Sequence, residues 1–194
     1  MNRIITISRE FGSGGRTIGR KCALKLGIPC YDNELIQEIA KKSGFAEEYI
    51  KERGEYMASA GIGSFFGGRD YNGHSIQDDL WGIQRQVIEE IAEKESCVIV
   101  GRCADYILKD RADLLTVFIH SSMENRAARI VNVYGENDEA PDKRLRDKDK
   151  RRKAYYQLYT DLKWGDVRNY QIALDSGIIG IDKCVEIICG LYDK

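Results

Sequence analysis

Residues 3–19 read RIITISREFGSGGRTIG, and this segment constrains the chain more than any other. An apolar run, Arg3 to Ile7, breaks into a glycine-rich turn, and a helical pattern begins at Gly15. A buried strand that ends in glycines and leads into a helix gathers backbone N–H groups and a helix dipole around an anion. The ligand this predicts is a nucleotide polyphosphate. The usual spacing is G-x-x-x-x-G-K-[ST]. Here the window is E-F-G-S-G-G-R-T, with Glu10 in place of the first glycine and Arg16 in place of the lysine. Gly12, Ser13, Gly14 and Gly15 allow close backbone approach. Arg16 is the candidate cation for the transferred charge, as a planar fork where lysine is a point charge. Thr17 is the candidate magnesium ligand through its hydroxyl. The other reading is a tight strand-to-helix turn that binds nothing.

The rest of the chain alternates. Strand-like runs occur at Ile4–Ser8, Pro29–Tyr31, Cys97–Gly101, Leu114–His120 and Gln171–Leu174, short and apolar as fully buried parallel strands are. Helical patterns lie at Thr17–Lys25, Glu34–Ser43, Glu47–Arg53, Asp78–Lys94, Ser122–Val133 and Lys183–Tyr192. The alternation predicts an α/β layered domain with a parallel sheet. Residues 54–73 hold six glycines together with aromatics. They read either as a mobile loop that closes on a ligand or as a loop disordered without a partner.

A net charge of −1 gives no global argument for nucleic acid or an anionic membrane. No apolar stretch approaches the roughly 20 residues of a membrane span. The six cysteines form no C-x-x-C pair and read as reduced core thiols. With no leader pattern in the first residues, a cytoplasmic location is expected.

Several other positions carry candidate chemistry. Arg102 follows the run Cys97–Gly101, at the strand end where open parallel sheets bind ligands. It is placed for a phosphate or a base edge, or else for a surface ion pair. Asp32 ends the second strand and reads either as a helix cap or as a carboxylate beside the acceptor. Arg126 and Arg129 share one helix face, which binds an anion or is merely solvated. Residues 143–153, KRLRDKDKRRK, carry eight basic and two acidic side chains, so basicity is concentrated there. A phosphate-closing lid, a nucleic-acid patch and a plain solvated helix all fit this run.

Taken in order along the chain, these segments resemble the nucleoside monophosphate kinases, specifically the cytidylate kinase-like proteins. SREFGSGGRTIG is similar to that branch's phosphate loop, in which arginine replaces the usual lysine. YDNELI resembles the segment whose aspartate approaches the acceptor, and VIVGRCADYIL resembles the strand that carries a nucleotide-binding arginine. TVFIHSSMENRAARI resembles the strand and arginine helix leading into the lid. RDKDKRR resembles the lid's Arg-Asp repeat, and ALDSGIIGIDKCVEII the C-terminal strand, turn and helix. One departure is Val100, which stands where these kinases have an aspartate.

The resemblance implies a single P-loop kinase-like domain over 1–194. Its core would be a three-layer α/β/α sandwich on a parallel five-stranded sheet. A short basic lid would lie near 136–153 and a helical or loop acceptor-binding insertion near 45–78. It implies transfer of the γ-phosphoryl of ATP, with Mg2+, to a small acceptor, a nucleoside monophosphate such as CMP. Its partners would be small-molecule nucleotides, with neither nucleic acid nor membrane. Residues 12–17 would hold the donor, and Arg102 and Asp32 the acceptor. Arg126, Arg129, Arg144 and Arg151 would neutralise charge as the lid closes, with Asp147 ordering them. Glu10 puts negative charge near the phosphates unless it turns away or pairs with a lid arginine. A nucleotide-binding regulator without catalysis and a kinase for a non-nucleotide acceptor are the alternatives.

Overall fold

The computed structural model describes residues 2–32, 35, 38, 42, 76–110, 113–135 and 140–192. In chain order they form β1 (Ile4–Arg9), α1 (Gly15–Leu26), β2 (Cys30–Tyr31), α2 (Ile76–Lys94), β3 (Cys97–Val100) and α3 (Ala104–Ile107). Then come β4 (Leu114–His120), α4 (Met123–Asn132), α5 (Pro141–Thr160), a 3-10 turn (Val167–Asn169), β5 (Ile172–Asp175), α6 (Ser176–Ile179) and α7 (Ile181–Tyr192). All five expected strands are present within one or two residues of their predicted bounds. The helical patterns at Glu34–Ser43 and Glu47–Arg53, and the loop 54–73, lie outside the described residues or nearly so.

The strands make one parallel sheet of order β2-β3-β1-β4-β5. Alternation along β1 and β3 sorts the core into two layers. Ile5, Ile7, Val98 and Val100 pack with Ile18 and Cys22 of α1 and with Cys184, Val185, Ile188 and Cys189 of α7. Ile4, Cys97 and Ile99 face the other way, onto Val87, Ile88 and Ile91 of α2 and Ala104 of α3. A third cluster, Phe118, Tyr156, Trp164 and Tyr170, seats α5 against β4. The result is the three-layer α/β/α sandwich expected, with the loop after β1 at the carboxyl edge of the central strand. Burial raises the pKa of the Cys22 thiol, which packs as a small apolar side chain. Among the described residues no helix is long and apolar enough to cross a membrane.

The basic run does not form a separate short element. It is the first part of the 20-residue helix α5, which starts at Pro141 and is buried at Leu145, Asp149, Tyr156 and Thr160. Proline at the first helical position fixes the start, and no glycine or proline interrupts the helix between there and Thr160.

Candidate functional site

The loop between β1 and α1 is built to leave helix amides open. Gly14 caps α1 in the left-handed region (φ 82) with no side-chain hydrogen bond, and the first turn holds no acidic residue. A Cβ at Gly14 would lie 2.6 Å from Ile181 Cδ1. Ser13 Oγ donates to the carbonyls of Glu10 (2.9 Å) and Ile119 (3.1 Å), which closes the turn and ties it to β4. Thr17 Oγ1 accepts from Arg129 Nη2 at 3.1 Å. Arg16 reaches across to the buried carboxylate of Asp32 at the end of β2, pairing through Nε and Nη2.

Glu10 turns away from the loop. Its carboxylate accepts the Ser121 N–H at 3.2 Å and lies 3.5 Å from Arg126 Nε. The arginine is therefore one from α4, not from the basic run. Arg126 is only 5% exposed. Its Nη1 donates to the Phe11 carbonyl (3.2 Å) and to Asp149 Oδ2 (2.5 Å). Asp149 Oδ1 in turn accepts the Phe11 N–H at 2.8 Å. Arg152, one turn on, donates to the Arg9 carbonyl at 3.0 Å. A chain of alternating charges thus underlies the loop and joins it to α4 and α5.

Beside the loop lies a cavity of about 40 Å³, lined by Arg9, Arg102, Arg152, Ser8 and Tyr155 among others. Its rim is a strained turn. Gly101, Arg102 and Cys103 are all left-handed, with φ of 81, 59 and 54. For a non-glycine residue that costs roughly 1–2 kcal/mol and survives where surroundings over-determine it. Buried Gln84 of α2 does so here: its Nε2 donates to the Arg102 carbonyl (3.0 Å) and its Oε1 accepts from Tyr155 Oη (3.1 Å). Below the cavity, Asp105 accepts from Tyr156 Oη at 2.7 Å and from Ser8 Oγ at 3.5 Å. Burial raises the Asp105 pKa, and these hydrogen bonds offset only part of the rise.

The expected residues therefore fall into groups. Gly12, Ser13, Gly14, Gly15, Arg16, Thr17 and Arg129 cluster at the start of α1, with Asp32 at Arg16. Arg102 lies at the cavity. Arg126 sits beneath the loop with its guanidinium held by protein groups. Arg144 and Arg151 are half-buried on α5, and Asp147 is exposed. Reasoning on the sequence passed over Arg9, Gln84, Asp105, Asp149 and Arg152. For Asp149 and Arg152 a signal existed, since 145, 149, 152 and 156 share one helical face with Leu145 and Tyr156.

The donor set fits a nucleotide polyphosphate: uncapped helix amides, left-handed glycines, neighbouring arginines and a Glu10 carboxylate engaged by Arg126 and Ser121. Magnesium would be held by the Thr17 hydroxyl and phosphate oxygens, as that ion is usually held by few protein ligands. Among the described residues no cluster of three metal-ligating side chains occurs.

Comparison with known proteins agrees with this fold. An uncharacterized protein from Eubacterium ventriosum ATCC 27560 is similar over 100% of this chain and 99% of its own, at 30% identity and a TM-score of 0.75. Shikimate kinase from Bacteroides thetaiotaomicron shares the fold at 17% identity and a TM-score of 0.57, over 99% of both chains. A gluconokinase from Sinorhizobium meliloti 1021 does so at 18% and 0.57, over 98% of this chain and 94% of its own. No curated protein matches. The model of the cytidylate kinase-like family matches residues 4–178, nearly the whole sequence, and the chain belongs to that family.

Proposed function

We propose that this protein is a phosphotransferase that moves the γ-phosphoryl group of ATP to a small acceptor, a nucleoside monophosphate such as CMP. The observation that carries the reading is the uncapped amino end of α1, with its glycine loop and with Glu10 paired elsewhere. Open amides there favour a polyphosphate. Family membership and fold point to the same class of reaction.

In this reading the amides of residues 12–17 and Arg16 hold the donor, and Asp32 orients the Arg16 guanidinium. Arg102 and Arg152 hold the anionic group of the acceptor in the cavity. Magnesium, when bound at Thr17, neutralises phosphate charge. The loosely bonded transition state asks the protein for positioning and charge stabilisation more than for covalent chemistry. A phosphate acceptor brings an oxyanion as nucleophile, so no proton need be removed.

The test is turnover by purified protein with ATP, Mg2+ and a panel of nucleoside monophosphates, sugar acids and hydroxy acids. Formation of ADP with a phosphorylated acceptor is the expected result. Tight ATP binding with no phosphorylated product from any acceptor would overturn it in favour of a nucleotide-binding regulator. The Arg16–Asp32 pair is the observation that favours that second reading, because it occupies the cation. Phosphorylation of a non-nucleotide acceptor alone would keep the reaction and replace CMP.

A further inference from the structure

The side chain of Arg9 joins the phosphate loop to the arginine cavity, and two glycines make room for it. A Cβ at Gly15 would lie 2.5 Å from Arg9 Cβ and 2.8 Å from Arg9 Cγ. A Cβ at Gly101 would collide with Arg9 Nη1. Gly15 is the first residue of α1, where the open amides are, and Gly101 lines the cavity. The stem of Arg9 therefore crosses the donor end and its guanidinium lies at the acceptor end. Arg152 fixes the Arg9 backbone by donating to its carbonyl.

On the phosphotransferase reading above, we propose that Arg9 is a further catalytic residue: a cation shared by the terminal phosphate of the donor and the anionic group of the acceptor. Two anions must meet for transfer, and their repulsion is largest where water is excluded. A guanidinium has five donors in a rigid fork and can serve both at once. The Arg9 stem lies against Gly15 and its guanidinium against Gly101 at the cavity, and this places its charge between the two ligands. In the step itself, an acceptor phosphate oxygen forms a bond to the γ-phosphorus. The bond from that phosphorus to the β–γ bridging oxygen breaks, and ADP leaves with the electron pair.

The test measures two affinities by calorimetry on the intact protein, for an ATP analogue with a non-hydrolysable β–γ link and for inorganic phosphate. Arg9→Met keeps bulk and removes charge, and it should weaken both ligands about tenfold, as loss of a charge-assisted hydrogen bond does. Arg9→Lys should recover part of both losses. Arg102→Met should weaken phosphate alone, and Arg16→Met the analogue alone. If Arg9→Met fails to fold, Arg9→Gln carries the same expectation. An Arg9 variant that leaves either affinity within about twofold of the parent overturns the shared cation. So does a parent protein that binds neither anion. A parent that binds both through Arg9 and phosphorylates nothing in the acceptor panel overturns the phosphotransferase reading instead.

Discussion

Asp149 accepts the backbone N–H of Phe11 at 2.8 Å, so a carboxylate on α5 holds the glycine-rich loop between β1 and α1. The same carboxylate pairs with Arg126, and the two side chains are only 12% and 6% exposed. Removing one partner of a buried pair leaves the other charge uncompensated, which costs about 3–5 kcal/mol. Asp149→Ala should lose that much stability in urea unfolding. Asp149→Asn, which keeps an acceptor for Phe11, should lose less. Equal stability of Asp149→Ala and the parent would remove Asp149 from its place under the loop.

Asp105 gives a pH dependence of unusual sign. Its pKa in the folded protein is raised by burial above the ordinary carboxylate value of about 3.9. The folded state then binds more protons than the unfolded state between those two values, so stability falls as pH rises through that window. Asp105→Asn should flatten this slope in unfolding experiments at several pH values. It should leave stability at pH 7 unchanged or higher, because the amide still accepts from Tyr156. A variant with the parent's pH slope would contradict the assignment.

Arg152 and Arg151 are neighbours with different surroundings. Arg152 lines the cavity and donates to the Arg9 carbonyl. Arg152→Ala should therefore raise the acceptor KM and lower kcat by about tenfold each, more than Arg151→Ala does. Steady-state kinetics with the best acceptor of the panel decides. A larger effect at Arg151 would mean that α5 shifts when substrates bind.

Arg16→Ala should lower turnover by about 100-fold or more, the cost of losing a charge stabiliser in the transition state. The effect on kcat should come with some loss of folding stability, since Asp32, 6% exposed, loses its cation, and Arg16→Lys should recover part of that stability. Near-normal turnover would end its assignment.

At Gly14 an alanine meets two obstacles, φ of 82 and Ile181 Cδ1 at 2.6 Å. Gly14→Ala should cost about 1–2 kcal/mol and weaken ATP binding by tilting the first amides of α1. Calorimetry and urea unfolding on the same variant measure both effects.

Much of the frame was legible because it is local. A β-branched run such as Ile4–Ile7 or Cys97–Val100 is a buried strand wherever it lies, and FGSGG can hardly be anything but a turn. Helix ends followed the same logic: Gly27 stops α1 in a left-handed cap (φ 66), and Ser122 starts α4 by accepting the Asn125 N–H. The departures came where the pattern had no contrast. Within KRLRDKDKRRK nearly every residue is charged, so periodicity does not reveal which aspartate faces inward. Asp147 was the candidate, and packing of Leu145 and Tyr156 turns Asp149 in instead.

The sequence by itself determined the sheet, the glycine loop and the family, since each is written in short runs whose residue types admit few conformations. Only the tertiary structure decided what the charges do. Glu10 meets Arg126 and Ser121 across more than a hundred residues of chain, and Arg126, Asp149, Arg152 and Arg9 are brought together from distant segments. Such pairings are set by how helices settle on the sheet, and no local preference of a glutamate or an arginine encodes its partner.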